Sequence, residues 1–267
     1  MGSFKEATAV EKVGDGEFKA DLDAQWSVGT KLHGGYLLAV LGRAAAELSE
    51  HPHLTAISGS FPMAPDPGPA TVHVEFLQAS RTLTQLRARL SQNGKPCVEA
   101  LITQGTLTDN DPWWTNFQAP EMLAEQDCVR FAGKPPGATF EVPILDVVEA
   151  RIDPSTTGWA MGEPTRTGSI STWQRLADGS DWDPLSLLVA LDPVPPVSFE
   201  LGAPGWAPTL QMSAYIRRLP APGSVQVQLN ASDVTNNRMD EAAFAWDSSG
   251  RVVAQANQFA AVRVPRG

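Results

Sequence analysis

Cysteine is nearly absent. Cys97 and Cys128 are the only two in 267 residues, which excludes a disulfide scaffold and a Cys-only zinc site. Histidine is almost as scarce, the four being His33, His51, His53 and His73. The pair His51-Pro-His53 has no cluster of further ligands beside it and reads as a helix-end loop, so no metal is expected. Positive charge is in deficit: 20 Lys and Arg stand against 30 Asp and Glu, a formal charge of −10. A phosphate-neutralising surface needs the opposite balance, so no nucleic-acid partner is expected. No apolar run approaches the ~20 residues of a membrane span. The N-terminus lacks a basic segment leading into an apolar one, so no secretory signal is read and the cytoplasm is the default location. Missing too are the Gly-x-Ser-x-Gly nucleophile elbow, the phosphate-cradling Gly-x4-Gly-Lys-Ser/Thr loop and the Gly-x-Gly-x-x-Gly fingerprint. Any chemistry here is expected to run on carboxylate, amide and hydroxyl groups, without a cofactor.

What the chain does have is apolar residues and turns. Hydrophobic residues make up 42% and charged ones 19%, the balance of a folded chain. Glycine and proline number 22 each, together about a sixth of the chain, which favours many short strands over a helical bundle. The length suits one large domain or two small ones.

Two stretches carry the same landmarks in the same order. The first runs from Ala20–Trp26 through a helical stretch Gly35–Ser49 to Phe61, a Pro65-Asp-Pro-Gly68 turn and Gly94-Lys95. The second runs from Gly168–Trp173 through a helical stretch Pro184–Leu191 to Ile216, a Pro220-Ala-Pro-Gly223 turn and Gly250-Arg251. Strand-like segments follow each helix: Val72–Phe76, Thr84–Leu90 and Val98–Leu107, then Gln211–Ile216, Val225–Leu229, Glu241–Trp246 and Val252–Val262. The first helix is apolar nearly all round and so should be buried. The second starts at Asp183-Pro184, an N-cap followed by proline at N1, and is stopped by Pro193, Pro195 and Pro196. The expectation is an α+β double hotdog: two tandem curled antiparallel sheets, each wrapped around a central helix. Its parts would be an N-terminal hotdog over 1–108, a connecting segment over 109–143, and a C-terminal hotdog over 144–267. In the connector, Trp113 and Trp114 suggest a loop folded back onto apolar surface, as a packed linker or as a flap over a pocket. Gly133-Lys-Pro-Pro-Gly137 marks a second irregular stretch.

Two residues break an apolar pattern. Asp192 ends the stretch Leu185–Leu191, which is apolar apart from Ser186; a negative charge there opposes the helix macrodipole. Apolar neighbours and that dipole both act to raise a carboxyl pKa, as suits a general base. A solvated Asp opening a proline-rich turn fits the composition equally well. Gln258 shares one face of the last strand with Val252, Ala254, Ala256, Ala260 and Val262. A lone amide among them needs partners, structural or functional. By the repeat it stands where the first half has Ile102. Thr209 is not selected by spacing: alternation sets it on the face opposite Leu210 and Met212 unless a bulge re-aims it.

Several motifs add to this pattern: His33-Gly-Gly-Tyr-Leu-Leu-Ala39, Gly168-Ser-Ile-Ser-Thr-Trp173, Leu191-Asp192-Pro193 with Pro195-Pro196, Pro208-Thr209-Leu210, and Gly250-Arg-Val-Val-Ala254 leading to Gln258. In this order the chain resembles the double-hotdog acyl-CoA thioesterases, bacterial type II enzymes among them, over nearly its whole length. It departs at Val234-Thr-Asn-Asn-Arg238, where such proteins often carry glycines. The resemblance implies hydrolysis of an acyl-CoA, with Asp192, Thr209 and Gln258 orienting and activating a water. It also implies a homodimer. His33-Gly34-Gly35 opens the first helix, and the glycines there serve either as backbone donors to an oxyanion or as a close helix–sheet packing point. Proline at 184 denies the second helix an equivalent donor. Two alternatives stand beside hydrolysis: a non-catalytic acyl-CoA- or lipid-binding protein, and a hotdog dehydratase. The latter would need a His–Asp pair, and His33 has no evident Asp partner in the sequence.

Overall fold

A computed structural model describes residues 3–134, 141–203, 205 and 207–264; the part of the Gly133–Gly137 motif from 135 onward lies outside them. A capped turn of helix, α1 (Phe4–Ala7), precedes β1 (Val10–Gly14), β2 (Glu17–Leu22) and a two-stranded ribbon, β3 (Ser27–Val28) and β4 (Lys31–Leu32). The long helix α2 (Gly34–Ala46) follows, then β5 (His53–Ser60), β6 (Gly68–Ala79), β7 (Thr84–Gln92) and β8 (Lys95–Gly105). After the connector come β9 (Val129–Phe131), β10 (Val148–Ile152), β11 (Ser169–Leu176) and the short helix α3 (Leu187–Ala190). The chain closes with β12 (Thr209–Ile216), β13 (Val225–Thr235), β14 (Arg238–Trp246) and β15 (Val252–Ala261).

All strands but the ribbon form one 13-stranded sheet in the order β1-β2-β6-β7-β8-β5-β12-β15-β14-β13-β11-β10-β9. This corrects the expectation of two separate sheets. The strand that follows the central helix of each half would otherwise be an open edge with unpaired backbone groups; β5 and β12 satisfy each other antiparallel, with Ser58 facing Ser213 and their hydroxyls 2.7 Å apart. On either side of that seam the register repeats. In the first half Ile57 pairs with Ile102, which pairs with Leu86. In the second Met212 pairs with Gln258, which pairs with Glu241. The expected match of Gln258 with Ile102 is therefore a topological one. The tryptophan landmarks are not equivalent: Trp26 lies in a turn after β2, whereas Trp173 lies inside β11.

Ten of the thirteen residues of α2 are buried, as its all-round apolar surface requires. It packs on β5, β6, β7, β8 and α3. Its regular part stops at Ala46, short of Ser49, because Glu47, Leu48 and Ser49 turn tighter and bond to carbonyls three residues back. The second helical stretch is shorter than expected. Pro184–Ser186 form a turn in which the Asp183 carboxylate accepts from the N–H groups of Leu185 and Ser186 at 2.9 and 2.6 Å, and only Leu187–Ala190 is regular helix.

The connector differs from expectation in two ways. It contributes β9 to the sheet edge, and its tryptophans do not pack: Trp113 is fully and Trp114 largely exposed. The loop is tied down instead by Phe117 against Phe244, ring centroids 5.3 Å apart, and by Arg218 donating to the Asn110 carbonyl at 3.3 Å. The Asn236-Asn237 departure forms the β13–β14 turn, both residues taking positive φ (53° and 57°), a conformation asparagine tolerates better than most residues.

Candidate active site

The site forms where the start of α2 meets the end of α3. Glycine makes that meeting close. A Cβ on Gly35 would lie 2.2 Å from the Leu188 carbonyl oxygen, and one on Gly34 would lie 2.9 Å from Asp192 Oδ2. Gly35 is thus a helix–helix contact, not the helix–sheet contact considered from sequence. A bulky residue there collides with backbone rather than leaving the fold intact.

Asp192 follows directly on the last turn of α3, its side chain 16% exposed. The dipole of α3 opposes its charge, but the N-terminus of α2 faces it: Gly35 N–H donates to Oδ2 at 3.0 Å. His33 caps α2 and locks the other side. Its Nδ1 accepts from Tyr36 N–H at 3.4 Å, and its Nε2–H donates to the Asp192 carbonyl. These partners assign the neutral tautomer with the proton on Nε2. Nε2 also lies 3.5 Å from Asp192 Oδ2. His33 does therefore have an Asp beside it, contrary to expectation: 159 residues of separation hid the pair in the sequence.

The first turn of α2 has few donors left. The N–H of Gly35 serves Asp192 and that of Tyr36 serves His33. Gly34 N–H alone in that turn has no partner among the described residues, and Gly34 is partly exposed.

Gln258 points from β15 toward the same place, 6% exposed. Its Nε2 donates to the Leu191 carbonyl at 3.1 Å, and its Oε1 accepts from the Thr209 hydroxyl at 2.8 Å. Thr209 reaches it because β12 is bulged at Leu210: Gln211 pairs with Phe259, yet Thr209 pairs with Ala260. The extra residue turns Thr209 onto the core face with Met212. The Leu210 carbonyl in turn accepts from Phe61 N–H at 3.0 Å, anchoring the bulge to the first half.

One residue of the neighbourhood was not selected from sequence. Glu241 stands opposite Gln258 on β14 and is 6% exposed. Burial, and then the charge of Asp192, push its carboxyl up to about 8. The signal was present: Glu241 shares its strand face with Ala243 and Ala245, the same lone-polar pattern that singled out Gln258.

Asp192, Thr209, Gln258, His33, Gly34 and Gly35 are thus brought together, the first three from the second half and the others from the first. No group of three or more His, Cys, Asp or Glu able to hold a metal occurs among the described residues. No helix there is long and apolar enough to cross a membrane.

Comparison with known proteins defines the class. A structure from Alicyclobacillus acidocaldarius, a protein of unknown function with a hot dog fold, superposes with a TM-score of 0.84 at 18% identity, covering 98% of each chain. The fold is a hotdog. A thioesterase II candidate from Thermobifida fusca YX superposes with a TM-score of 0.88 at 29% identity, covering 98% of this chain and 97% of that one. An uncharacterized protein of Mycobacterium tuberculosis is 28% identical over 92% of this chain and 90% of its own. Residues 22–105 match the acyl-CoA thioesterase N-terminal domain and residues 124–262 the C-terminal domain. The chain belongs to the acyl-CoA thioesterase family.

Proposed function

We propose that the protein hydrolyses acyl-CoA thioesters to a free acid and CoA, with Asp192 as general base. The observation that carries this reading is the Asp192 carboxylate bonded to the N-terminus of α2, with the Thr209-held Gln258 amide bonded to the carbonyl of the adjoining Leu191. Thr209 fixes the Gln258 amide, which keeps one Nε2 proton for a water. Asp192 takes a proton from that water as its oxygen bonds to the thioester carbon. The growing oxyanion needs a donor already in place, and the unpartnered N–H of Gly34 is the one the first turn of α2 leaves available. The C–S bond then breaks, and the sulfur leaves with the electron pair and recovers the proton from Asp192. His33 and Gly35 hold Asp192 in position. The working unit is a cytoplasmic homodimer, each chain of which has an N-terminal half 1–108 and a C-terminal half 144–267 joined by 109–143; light scattering tests the dimer.

Free-thiol release from short, medium and long acyl-CoAs tests the reaction, with Asp192→Asn alongside. Release that vanishes in the variant is expected. Binding measured by calorimetry without release would instead support a carrier of acyl-CoA.

The His33–Asp192 pair favours a second reading, dehydration of a 3-hydroxyacyl thioester. Against it, both ring nitrogens of His33 are occupied, by Tyr36 N–H and by the Asp192 carbonyl, which leaves no nitrogen to move a substrate proton. Formation of an enoyl thioester, followed by its ultraviolet absorbance, would revive that reading.

A further inference from the structure

Glu241 has no part in the mechanism above, yet it stands beside it. Its strand partner is Gln258, and inward residues on adjacent antiparallel strands carry Cβ atoms about 4.5–5.5 Å apart. The Gln258 amide bonds Thr209 through Oε1 and Leu191 through one Nε2 proton, the other being the one left for the water. The Glu241 carboxyl makes no hydrogen bond to any described residue, although 94% of the residue is buried (6% exposed). A carboxyl so placed is costly unless it finds a partner outside the protein chain. The first half shows the inexpensive alternative at the same register, Leu86 opposite Ile102.

The surroundings determine what Glu241 does. From the end of α3 it feels the charge of Asp192, and beyond Asp192 lies His33, neutral and bonded on both nitrogens. Strand β15 offers Gln258, Ala256 and Ala260 on the shared face, and β13 offers Leu229 and Ala231. On its own strand Met239 and Ala243 flank it, while Arg238 and Asp240 are exposed on the opposite face. Across β13, Glu200 is occupied by the N–H groups of Thr167 and Gly168 and the hydroxyl of Thr165. No cation of the described residues acts on Glu241. Burial and Asp192 therefore keep it protonated at neutral pH.

We propose that Glu241 is a positioning residue of the hydrolytic site: its protonated carboxyl donates a hydrogen bond into the water site bounded by Gln258 and Asp192 and keeps that site free of a second negative charge. The inference rests on the thioesterase reading. Glu241 exchanges no proton in the cycle; the water proton passes to Asp192 and then to the departing sulfur. Its service is a fixed O–H donor. Once ionised, it would oppose the oxyanion at short range in a low-dielectric site, where a like charge is felt most strongly. Activity should therefore fall on the alkaline side as Glu241 loses its proton.

The test is kcat and kcat/KM for acyl-CoA between pH 6 and 10 in the wild type, Glu241→Gln and Glu241→Leu. The amide keeps an uncharged donor; leucine copies Leu86 of the first half and is compatible with the core. Wild-type kcat should drop about tenfold per pH unit above about 8. Glu241→Gln should hold its rate within about threefold of wild type at pH 7 and lack the alkaline fall. Glu241→Leu should lose about tenfold or more at every pH while staying folded. A fully active leucine variant, or an alkaline limb unchanged in the glutamine variant, overturns the proposal and leaves hydrolysis standing. A wild type that turns over no acyl-CoA removes the thioesterase reading, and this role with it.

Discussion

The two halves of the sheet use one register for opposite purposes. At the same three-strand position the first half sets Ile57, Ile102 and Leu86 side by side, and the second sets Met212, Gln258 and Glu241. Three apolar side chains close a core; one apolar and two polar ones keep a site open. The helices diverge in the same sense. In the first half α2 is long and offers its N-terminus, whereas α3 is a single turn that ends in Asp192. The first half turns a helix N-terminus toward the carboxylate that the second half carries, so the two halves are not interchangeable.

Asp192→Asn removes the proposed base, and kcat should fall by about 10³-fold; stopped assays of thiol release at saturating acyl-CoA measure it. Gln258→Ile rewrites the second half in the first half's terms. Turnover should drop about 10²-fold and stability by about 1–3 kcal/mol, since the Leu191 carbonyl and the Thr209 hydroxyl lose their partner. Loss of fold in that variant would show the amide to be structural. The reverse exchange, Ile102→Gln, buries an amide where no Thr209 or Leu191 awaits it. It should cost about 1–3 kcal/mol in urea unfolding and leave kcat per folded molecule unchanged.

A subtler contrast lies in pH. Unfolded, Glu241 releases its proton near ~4.3; folded, it keeps it up to about 8. Within that window the native state binds more protons, so stability should decline as pH rises, by about 1.4 kcal/mol per unit. Glu241→Leu, matching Leu86, should abolish the slope, and unfolding curves at pH 5 and 7.5 compare the two chains directly. Equal slopes would sink the assignment.

The smallest effect concerns the turns. Gln92 clamps the Pro65–Gly68 turn through Asp66 and Pro69. Asp247 clamps the Pro220–Gly223 turn, accepting from Ala221 N–H at 3.1 Å and from the Arg251 guanidinium at 2.9 Å. Burial pushes the Asp247 carboxyl up, but the Ala221 and Arg251 donors outweigh it and hold it below its ordinary value. Its stabilisation is therefore present above the unfolded value of ~3.9 and is lost as pH falls through the lower folded one. Asp247→Asn should cost about 1 kcal/mol at neutral pH and soften the acid limb below pH 4; no variant of Gln92 should alter that limb.

Much of this contrast could be read from residues alone, and the gaps have physical causes. Asp192 and Gln258 were visible because each interrupts an apolar pattern. Thr209 was not, because the bulge at Leu210 shifts its side chain by one face and alternation does not encode a bulge. Glu241 obeyed the same lone-polar rule as Gln258 but opened its segment, where a charged residue reads as the end of a strand. The single sheet was out of reach, since the β5–β12 pairing joins residues 155 apart that carry no local signal for each other. The tryptophans at 113 and 114 misled for the converse reason: bulk implies burial only where a surface is within reach.

That seam also has a consequence for the chain as it is made. Ser58 leaves the ribosome 155 residues ahead of Ser213, an interval on the order of ten seconds at roughly 5–20 residues per second. Once β8 has followed, at Gly105, the first half can form its sheet, and its β5 edge then stays unpaired until β12 is made, the kind of surface along which nascent chains anneal to their neighbours. Ser58 and Ser60 place hydroxyls on that waiting strand, and the helix end beside it stands ready with its glycines for a carboxylate not yet synthesised.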